Sequence, residues 1–197
     1  MRPDLLLVAE LVGRGARVLD LGCGDGALLE HLIAEQDCAG YGIEQSEEGF
    51  HACVARGVPV AQRNLEDELP HLGPDEFDCA VLSLTLQAVR RPAQVLADMR
   101  RVAPRRIVSL PNFGHWRLRA ELALRGRMPT SRSLPYPWYE TPNIHLCTLK
   151  DFERLVGETR MRVARRTLLD EHGRPAPRAA HAAPNLLAAG AVYVLES

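Results

Sequence analysis

Apolar positions along the chain switch between two periods, and this switching predicts an α/β fold. Short apolar or alternating runs predict strands, and apolar residues three and four positions apart predict helices. The predicted strands lie at 17–19, 40–44, 58–62, 77–83, 106–110, 161–169 and 191–196. The predicted helices lie at 4–12, 27–34, 92–102, 115–125 and 148–159. Residues 170–190 show little periodicity, and we expect a mobile loop there.

The first strand leads into a turn in which every second residue is a glycine. Gly22, Gly24 and Gly26 follow the strand, and the helix at 27–34 comes directly after them. Glycine adopts positive φ angles without strain and lets a ligand approach the main chain closely. A strand, a glycine turn and a helix in this order are typical of the unit that opens an α/β nucleotide-binding fold.

Asp20 indicates which nucleotide the turn favours. The glycine spacing also fits the G-x-G-x-x-G/A pattern of dinucleotide-binding proteins if Ala27 takes the last position. A carboxylate beside the turn would repel a pyrophosphate, but it would attract the ammonium and sulfonium of S-adenosylmethionine (SAM). The segment resembles motif I of the class I SAM-dependent methyltransferases, and Cys23 belongs to the same candidate cofactor site. A helix entry that binds nothing is the remaining alternative.

Glu44 is the second acidic residue that points to a nucleoside. It ends the second predicted strand, about two dozen residues after Asp20, which is close to the usual offset of a ribose-binding acid. Its two oxygens could accept hydrogen bonds from both ribose hydroxyls, and Gln45 would then lie near the adenine. The alternative is that Glu44 only favours the start of the next helix, for which Ser46 is the predicted N-cap.

Three more residues complete the predicted cofactor site. Asn64 and Leu65 follow the third strand, and Ser83 ends the fourth. In methyltransferases of this class, an acid or amide in the place of Asn64 commonly contacts the adenine amino group, and an apolar neighbour packs against the ring. An amide carbonyl can accept that hydrogen bond as a carboxylate does. The end of the fourth strand, from Ser83 to Gln87, should border the cleft where SAM and a methyl acceptor meet.

Residues 111–148 concentrate the aromatic side chains of the chain. Phe113, Trp116, Tyr136, Trp138 and Tyr139 are five of its ten aromatic residues. The segment follows the fifth strand, at the edge of the sheet where ligands bind in open α/β folds. Exposed aromatic side chains are unfavourable, so we expect a lid or a partner surface, and a satellite core beneath a long loop is the alternative.

Composition bounds the class of protein. A chain of 197 residues fits one domain, predicted to span 1–197 with a lid insertion at about 111–148. The formal net charge of −1 gives no global attraction to nucleic acid or membrane. The chain has no apolar run of about eighteen residues, so we expect a cytoplasmic protein. Its five cysteines contain no C-x-x-C pair, and no metal site is predicted.

Several selective motifs make the chain similar to the MetW family of methionine-biosynthesis proteins. They are the glycine turn at 18–26, Tyr-Gly-Ile-Glu at 41–44, Leu-Thr-Leu-Gln-Ala-Val-Arg-Arg-Pro at 84–92, Ile-Val-Ser-Leu-Pro-Asn-Phe-Gly-His-Trp at 107–116, Gly-Arg-Met-Pro at 126–129 and Leu-Pro-Tyr-Pro-Trp-Tyr-Glu-Thr-Pro-Asn-Ile-His at 134–145. The resemblance covers about residues 5–165. One departure is Asn64, because the family carries an acid after the third strand.

The resemblance implies a fold, a cofactor and a partner. The fold is a Rossmann-like class I methyltransferase fold, with helices on both faces of a mostly parallel seven-stranded sheet and an antiparallel last strand. The cofactor is SAM or S-adenosylhomocysteine. The partner is homoserine O-acyltransferase, beside which family members are thought to act as accessory or regulatory proteins.

Three functions follow from these observations. The first is a SAM-responsive accessory protein, in which SAM alters the affinity for the partner. The second is an active methyltransferase for a small-molecule acceptor, with His115, Tyr139 and His145 as candidate catalytic residues. The third is RNA methylation, suggested by nine arginines between positions 100 and 132, although the net charge is near zero. A metal site at His145 and Cys147 lacks further ligands in the sequence.

Overall fold

The computed structural model describes residues 1–131 and 135–197. Arg132 and Leu134, which belong to the arginine cluster and to a family motif, lie outside the described residues. The strands are β1 (Arg17–Leu21), β2 (Ala39–Glu44), β3 (Val60–Gln62), β4 (Cys79–Ser83), β5 (Arg105–Pro111), β6 (Arg162–Leu169) and β7 (Gly190–Glu196). The helices are α1 (Pro3–Val12), α2 (Ala27–Gln36), α3 (Glu47–Ala55), α4 (Leu65–Glu68), α5 (Pro92–Val102), α6 (Trp116–Arg125), α7 (Leu149–Glu158) and α8 (Pro184–Leu187).

The strands form one seven-stranded sheet in the order β3-β2-β1-β4-β5-β7-β6. Neighbouring strands from β3 to β5 pair in parallel, and β7 pairs antiparallel with both β5 and β6. The chain moves outward from β1 to β3 and then returns to β4 on the other side of β1. Open α/β sheets bind ligands at such a reversal, so the fold points to the carboxyl ends of β1 and β4.

Successive residues of β1 enter different cores, which places helices on both faces of the sheet. Val18 packs in a cluster with side chains of α1 and α2, including Val8 and Leu29. Leu19 packs in a second cluster that contains Leu96 of α5 and Phe152 of α7. Side chains of a strand alternate between faces, so a strand with apolar residues on both sides must be covered twice. The predicted fold class is therefore confirmed.

Two helix starts follow local sequence signals. Ser46 caps α3, because its hydroxyl accepts a hydrogen bond from the Gly49 N–H at 3.1 Å. Thr148 and Asp151 form a capping box at α7, in which each side chain accepts from the other's main-chain N–H. His115 is the N-cap residue of α6, which therefore begins one residue later than the predicted helix.

Residues 170–190 are folded more regularly than the sequence predicts. Ala176 N–H donates to the Leu168 carbonyl at 2.8 Å, so the chain turns back along the end of β6. A 3-10 helix (Arg178–Ala182) and α8 follow, and Ala180 and Ala188 are buried. The predicted loop therefore contains two short helices, which the sequence does not indicate because turns and helices that start at a proline leave no hydrophobic period. The mobility of the segment stays a prediction.

Candidate functional site

The glycine turn joins the ends of β1 and β2 through main-chain hydrogen bonds. The N–H groups of Gly22 and Cys23 both donate to the Ile43 carbonyl, at 2.8 and 3.2 Å. Gly22, Gly24 and Gly26 have φ angles of +73°, +57° and +75°. Three left-handed residues in one short turn require glycine, because a side chain is strained at these angles.

The three glycines differ in what surrounds them. A Cβ atom on Gly22 would lie 2.7 Å from Thr85 Cγ2, and one on Gly26 would lie 2.9 Å from Cys53 Sγ. A Cβ atom on Gly24 would meet no atom within 4 Å. Gly22 and Gly26 are therefore needed for packing inside the protein, whereas a side chain on Gly24 would project into open space.

Glu44 is held at the mouth of the turn by two main-chain donors. Its Oε2 accepts from the Gly24 N–H at 2.9 Å, and its Oε1 accepts from the Ser46 N–H at 2.8 Å. Each carboxylate oxygen keeps a second lone pair for another donor. The contacts fix the carboxylate in place but leave acceptor capacity on both oxygens.

Asp20 lies deeper, near the end of β1, and is 2% exposed. Its Oδ1 has no hydrogen-bond partner among the described residues. Burial, together with the nearby charge of Glu44, raises the pKa of Asp20 to about 7, and Arg2 opposes this shift. A buried carboxyl oxygen without a donor is unfavourable, which makes this atom a strong acceptor for a cation or an N–H group.

Two clefts meet at Gly22. The first cleft, of about 1020 Å³, is lined by Asp20, Cys23, Gly24, Ser83 and Arg2 among others. The second cleft, of about 610 Å³, has one wall of residues after β2 and β3 and another from residues 135–146. Its lining includes Gly22, Glu44, Gln45, Asn64, Leu65, Pro142 and Ile144. Nine of the ten predicted cofactor residues line these two clefts; Gly26 instead packs against Cys53.

Several cleft residues also have structural contacts of their own. Asn64 Oδ1 accepts from the Glu66 N–H at 2.8 Å and so caps α4. Ser83 Oγ lies 3.0 Å from Ser109 Oγ, at hydrogen-bond distance. Burial raises the pKa of the Cys23 thiol, so this side chain remains uncharged. The contact of Asn64 with an adenine stays a prediction. The side-chain oxygen of Asn64 already accepts one hydrogen bond, from Glu66.

The three candidate catalytic residues are not brought together. His115 is buried beside a small cavity of about 180 Å³, and burial lowers its pKa. Tyr139 is 67% exposed and packs edge to face on Trp138. His145 is exposed and lies beside Cys147 and Asp151 in another cavity. None of the three is among the residues that line the first or second cleft.

Two residues after β4 lie in the segment 83–87 that the sequence predicts to border the cleft, and both have features that the sequence does not indicate. Leu84 has a φ of +51°, which is a strained angle for a branched side chain, and it lines the second cleft. Gln87 is 6% exposed, and its Nε2 donates to the Leu84 carbonyl at 2.7 Å. Its Oε1 is buried without a partner in the described part of the chain, and Gln87 is one of the residues that line a third cavity of about 490 Å³. The sequence indicated the role of Gln87 in one way, because it is a polar residue within an apolar stretch.

Comparison with known proteins establishes the family. A family model described as methionine biosynthesis protein MetW matches residues 2–195. The chain belongs to the MetW family. The bifunctional methionine biosynthesis protein MetXA/MetW of Rhodopirellula baltica is 34% identical over 160 residues, which are 77% of this chain and 26% of that protein.

A second relative is matched over a shorter stretch. An uncharacterized 37.1 kDa protein in transposon TN4556 of Streptomyces fradiae is 38% identical over 94 residues, which are 45% of this chain and 27% of that protein. The MetW chain thus spans about a quarter of the length of the curated relatives that it matches.

Solved structures establish the fold. A SAM-dependent methyltransferase from Mesorhizobium loti matches with a TM-score of 0.68 and 18% identity, covering 98% of both chains. The 1,6-didemethyltoxoflavin-N1-methyltransferase of Burkholderia thailandensis, solved with S-adenosylhomocysteine, matches with a TM-score of 0.64 and 15% identity. It covers 100% of this chain and 77% of that one. The MetW chain therefore has a class I SAM-dependent methyltransferase fold.

Two features are absent from residues 1–131 and 135–197. No helix there is long and apolar enough to cross a membrane. Within the same residues, no group of three or more His, Cys, Asp and Glu side chains could hold a metal ion.

Proposed function

We propose that this MetW protein binds SAM in the two clefts and acts as an accessory partner of homoserine O-acyltransferase in methionine biosynthesis. It would act in the cytoplasm as a single SAM-binding domain with the segment 111–148 as a lid. S-adenosylhomocysteine, which lacks the methyl group, would fit the same clefts. The observation that carries the proposal is the buried, unpartnered carboxyl oxygen of Asp20 beside a turn whose Gly24 faces open space.

The donor set fits the chemistry of SAM. The ammonium and sulfonium would lie in the first cleft, where Asp20 is an acceptor that lacks a donor. The ribose would lie in the second cleft, where both oxygens of Glu44 can each accept one more hydrogen bond. Leu65 is buried at the edge of this cleft and offers an apolar contact to an adenine ring. When bound, SAM would supply a methyl group attached to its sulfonium, which is a good leaving group.

The positions of the three candidate catalytic residues favour the accessory role over catalysis. His115, Tyr139 and His145 lie in separate places, so none of them is positioned to take a proton from an acceptor in the first or second cleft. The partnership is supported by the Rhodopirellula baltica relative, whose name joins MetXA and MetW in one bifunctional protein. Joining two proteins in one chain is advantageous when they work together.

Methyl transfer to a small molecule is the second candidate function. It is favoured by the third cavity, which shares Leu84 with the second cleft and Arg2 with the first. The unpartnered Oε1 of Gln87 would accept a hydrogen bond from an N–H or O–H group of an acceptor there. This function predicts production of S-adenosylhomocysteine when a cell extract of small molecules is added with SAM, whereas the accessory role predicts none.

Replacing Glu44 by alanine tests the cofactor site. Hydrogen bonds to a charged group contribute about 1.5–3 kcal/mol, so Glu44→Ala should weaken SAM binding by about ten- to a hundredfold. The measurement is isothermal titration calorimetry, with thermal unfolding as a check of folding. Glu47→Ala is the matched control, because Glu47 is an exposed acid in the first turn of α3. Equal SAM affinity of both variants and the wild type would refute the site.

Co-purification tests the partnership. The MetW protein and the homoserine O-acyltransferase of the same genome are produced together, and one is captured by a tag with and without SAM. We expect a stoichiometric complex whose yield depends on SAM, and an acyltransferase activity that rises in the complex. Separate elution under both conditions would exclude the accessory role.

A further inference from the structure

Residues 135–146, here called the strap, expose an unusual set of large apolar side chains. Trp138 is 71% exposed and Tyr139 is 67% exposed, and their rings pack edge to face with centroids 5.7 Å apart. Tyr136, Ile144 and Leu146 are also exposed. Aromatic side chains left in water on one short segment are typical of a protein–protein contact, in which Trp and Tyr contribute most of the binding energy.

The composition of the strap favours a rigid and nearly uncharged contact. It contains three prolines, at 135, 137 and 142, which restrict the main chain before any partner binds. Glu140 is its only acidic residue, and it has no lysine or arginine. A segment that is already restricted loses less entropy on binding, so its apolar area contributes more to affinity.

The back of the strap is a wall of the second cleft. Pro142 and Ile144 line this cleft together with Glu44 and Leu65. The main-chain carbonyl of Gln87 accepts from the N–H groups of Ile144 and His145, both at 2.9 Å. One residue that is itself buried therefore anchors the strap.

Gln87 also connects the strap to the junction of the clefts. Its side-chain amide donates to the carbonyl of Leu84, the residue with a positive φ that lies between the second cleft and the third cavity. A shift of the strap would be transmitted to Leu84 through this residue. The outer face, the anchor and the cleft wall thus belong to one continuous set of contacts.

We propose that the outer face of the strap, centred on Tyr136, Trp138 and Tyr139, is the docking surface for homoserine O-acyltransferase, and that Gln87 couples this surface to the second cleft. The inference rests on the proposed partnership. The acyltransferase is the occupant chosen because the Rhodopirellula baltica relative carries MetXA and MetW in one chain and aligns with 77% of this chain. The strap exposes an apolar face of the kind that binds a protein partner.

The coupling has a defined thermodynamic consequence. SAM in the second cleft would contact the back of the strap, and the acyltransferase would contact its outer face. Binding of either one therefore changes the free energy with which the other binds. SAM should change the affinity for the enzyme, and the enzyme should change the affinity for SAM by the same factor. Typical coupling between two sites changes affinity by about fivefold or more.

The test uses the purified acyltransferase of the same genome and the full MetW chain. The Kd of the complex is measured by biolayer interferometry for the wild type and for Trp138→Ala/Tyr139→Ala, each with and without SAM. We expect the double variant to bind the enzyme at least about tenfold more weakly. Its SAM affinity, measured by calorimetry, should equal that of the wild type and shows that it is folded. Val54→Ala is the matched control, because Val54 is an exposed apolar residue of α3, away from the strap in sequence.

Each outcome has one meaning. If the double variant binds the enzyme as the wild type does, the docking surface is wrong and the partnership stands. If the wild type itself does not bind, the partnership fails, and the docking surface with it. If Val54→Ala loses as much affinity as the double variant, the effect is not specific to the strap, and the assignment is overturned. Equal Kd values with and without SAM would refute the coupling.

Discussion

The glycine turn at 20–26 and the bend at 111–115 both carry family motifs at the carboxyl edge of the sheet, yet they use their polar groups in opposite ways. In the turn, Asp20 Oδ1 lacks a partner among the described residues and Gly24 faces open space. In the bend, the side chain of Asn112 donates to the carbonyls of Asn185 and Ala188, at 3.1 and 2.7 Å. Its Oδ1 accepts from the Gly114 N–H at 2.9 Å.

The difference separates a motif that we propose binds the cofactor from a motif whose polar groups support the fold. Buried polar groups are nearly always paired, so one that is left unpaired beside a cleft is available as an acceptor for a ligand. The side-chain groups of Asn112 are all used inside the protein, where they hold the start of the segment 111–148 against the residues before β7. The more selective of the two motifs therefore supports the fold, and the more widely shared one lies at the proposed cofactor site.

Removing the side chain of Asn112 should have the largest effect. Asn112→Ala would leave two buried carbonyls and one N–H unpaired, and we expect the free energy of unfolding to fall by about 2–4 kcal/mol. SAM affinity at a temperature where the variant is folded should be unchanged. The measurement is urea unfolding followed by circular dichroism, with Asn143→Ala, a half-buried asparagine of the strap, as the control.

A loss of SAM affinity in Asn112→Ala, without loss of stability, would reverse the assignment of the two regions. The bend would then be part of the binding site. Equal destabilisation by Asn143→Ala would show that the contacts of Asn112 contribute nothing specific.

Gly24→Ala should affect binding more than stability. Gly24 and Gly57 both have positive φ angles, and a Cβ atom at either position meets no atom within 4 Å. Both alanine variants should therefore lose a similar stability, about 1 kcal/mol. Only Gly24→Ala would place a methyl group where the cofactor approaches the main chain, and we expect its SAM affinity to fall by about a hundredfold.

Calorimetry of the two glycine variants gives a direct comparison, because the backbone strain is matched. If both retain wild-type SAM affinity, the space in front of Gly24 is not used by the ligand. The glycine turn would then be a structural feature like the bend.

The strands, the longer helices and the part of the site around Asp20 and Glu44 could be predicted from the sequence because their signals are local. The period of apolar residues gives strands and helices, and the turn places Asp20 and the glycines at the end of β1. Glu44 could be predicted because parallel neighbouring strands bring their carboxyl ends to one edge. These inferences need no knowledge of how distant segments pack.

The remaining features depend on tertiary packing. The anchor at Gln87 exists because residues 144 and 145 return to its carbonyl, and no local pattern encodes that return. The strained φ of Leu84 is equally invisible in the sequence, because leucine normally avoids this angle. The burial of His115 could not be predicted either, since a histidine beside a tryptophan is compatible with both a lid and a core.

The pH dependence of SAM binding should show the smallest effect. The pKa of Asp20 is raised from 3.8 to about 7 in the folded protein, so between these values the folded state holds a proton that the unfolded state has lost. The free energy of unfolding contributed by Asp20 therefore falls as pH rises from about 4 to about 7, and it is constant above that range. A cationic ligand prefers the ionised carboxylate, so SAM affinity should rise in the opposite direction, by about tenfold between about pH 6 and pH 8.

Asp20→Asn separates this titration from all others. The amide cannot ionise, so the variant should bind SAM weakly and with little change between these two pH values, and its stability should not fall as pH rises toward 7. Glu44 and Arg2, the charged groups that influence the pKa of Asp20, are present in both proteins. A pH slope in Asp20→Asn equal to that of the wild type would assign the titration to another group. It would also remove the distinction between the turn, where Asp20 Oδ1 has no partner among the described residues, and the bend, where the side-chain groups of Asn112 are paired.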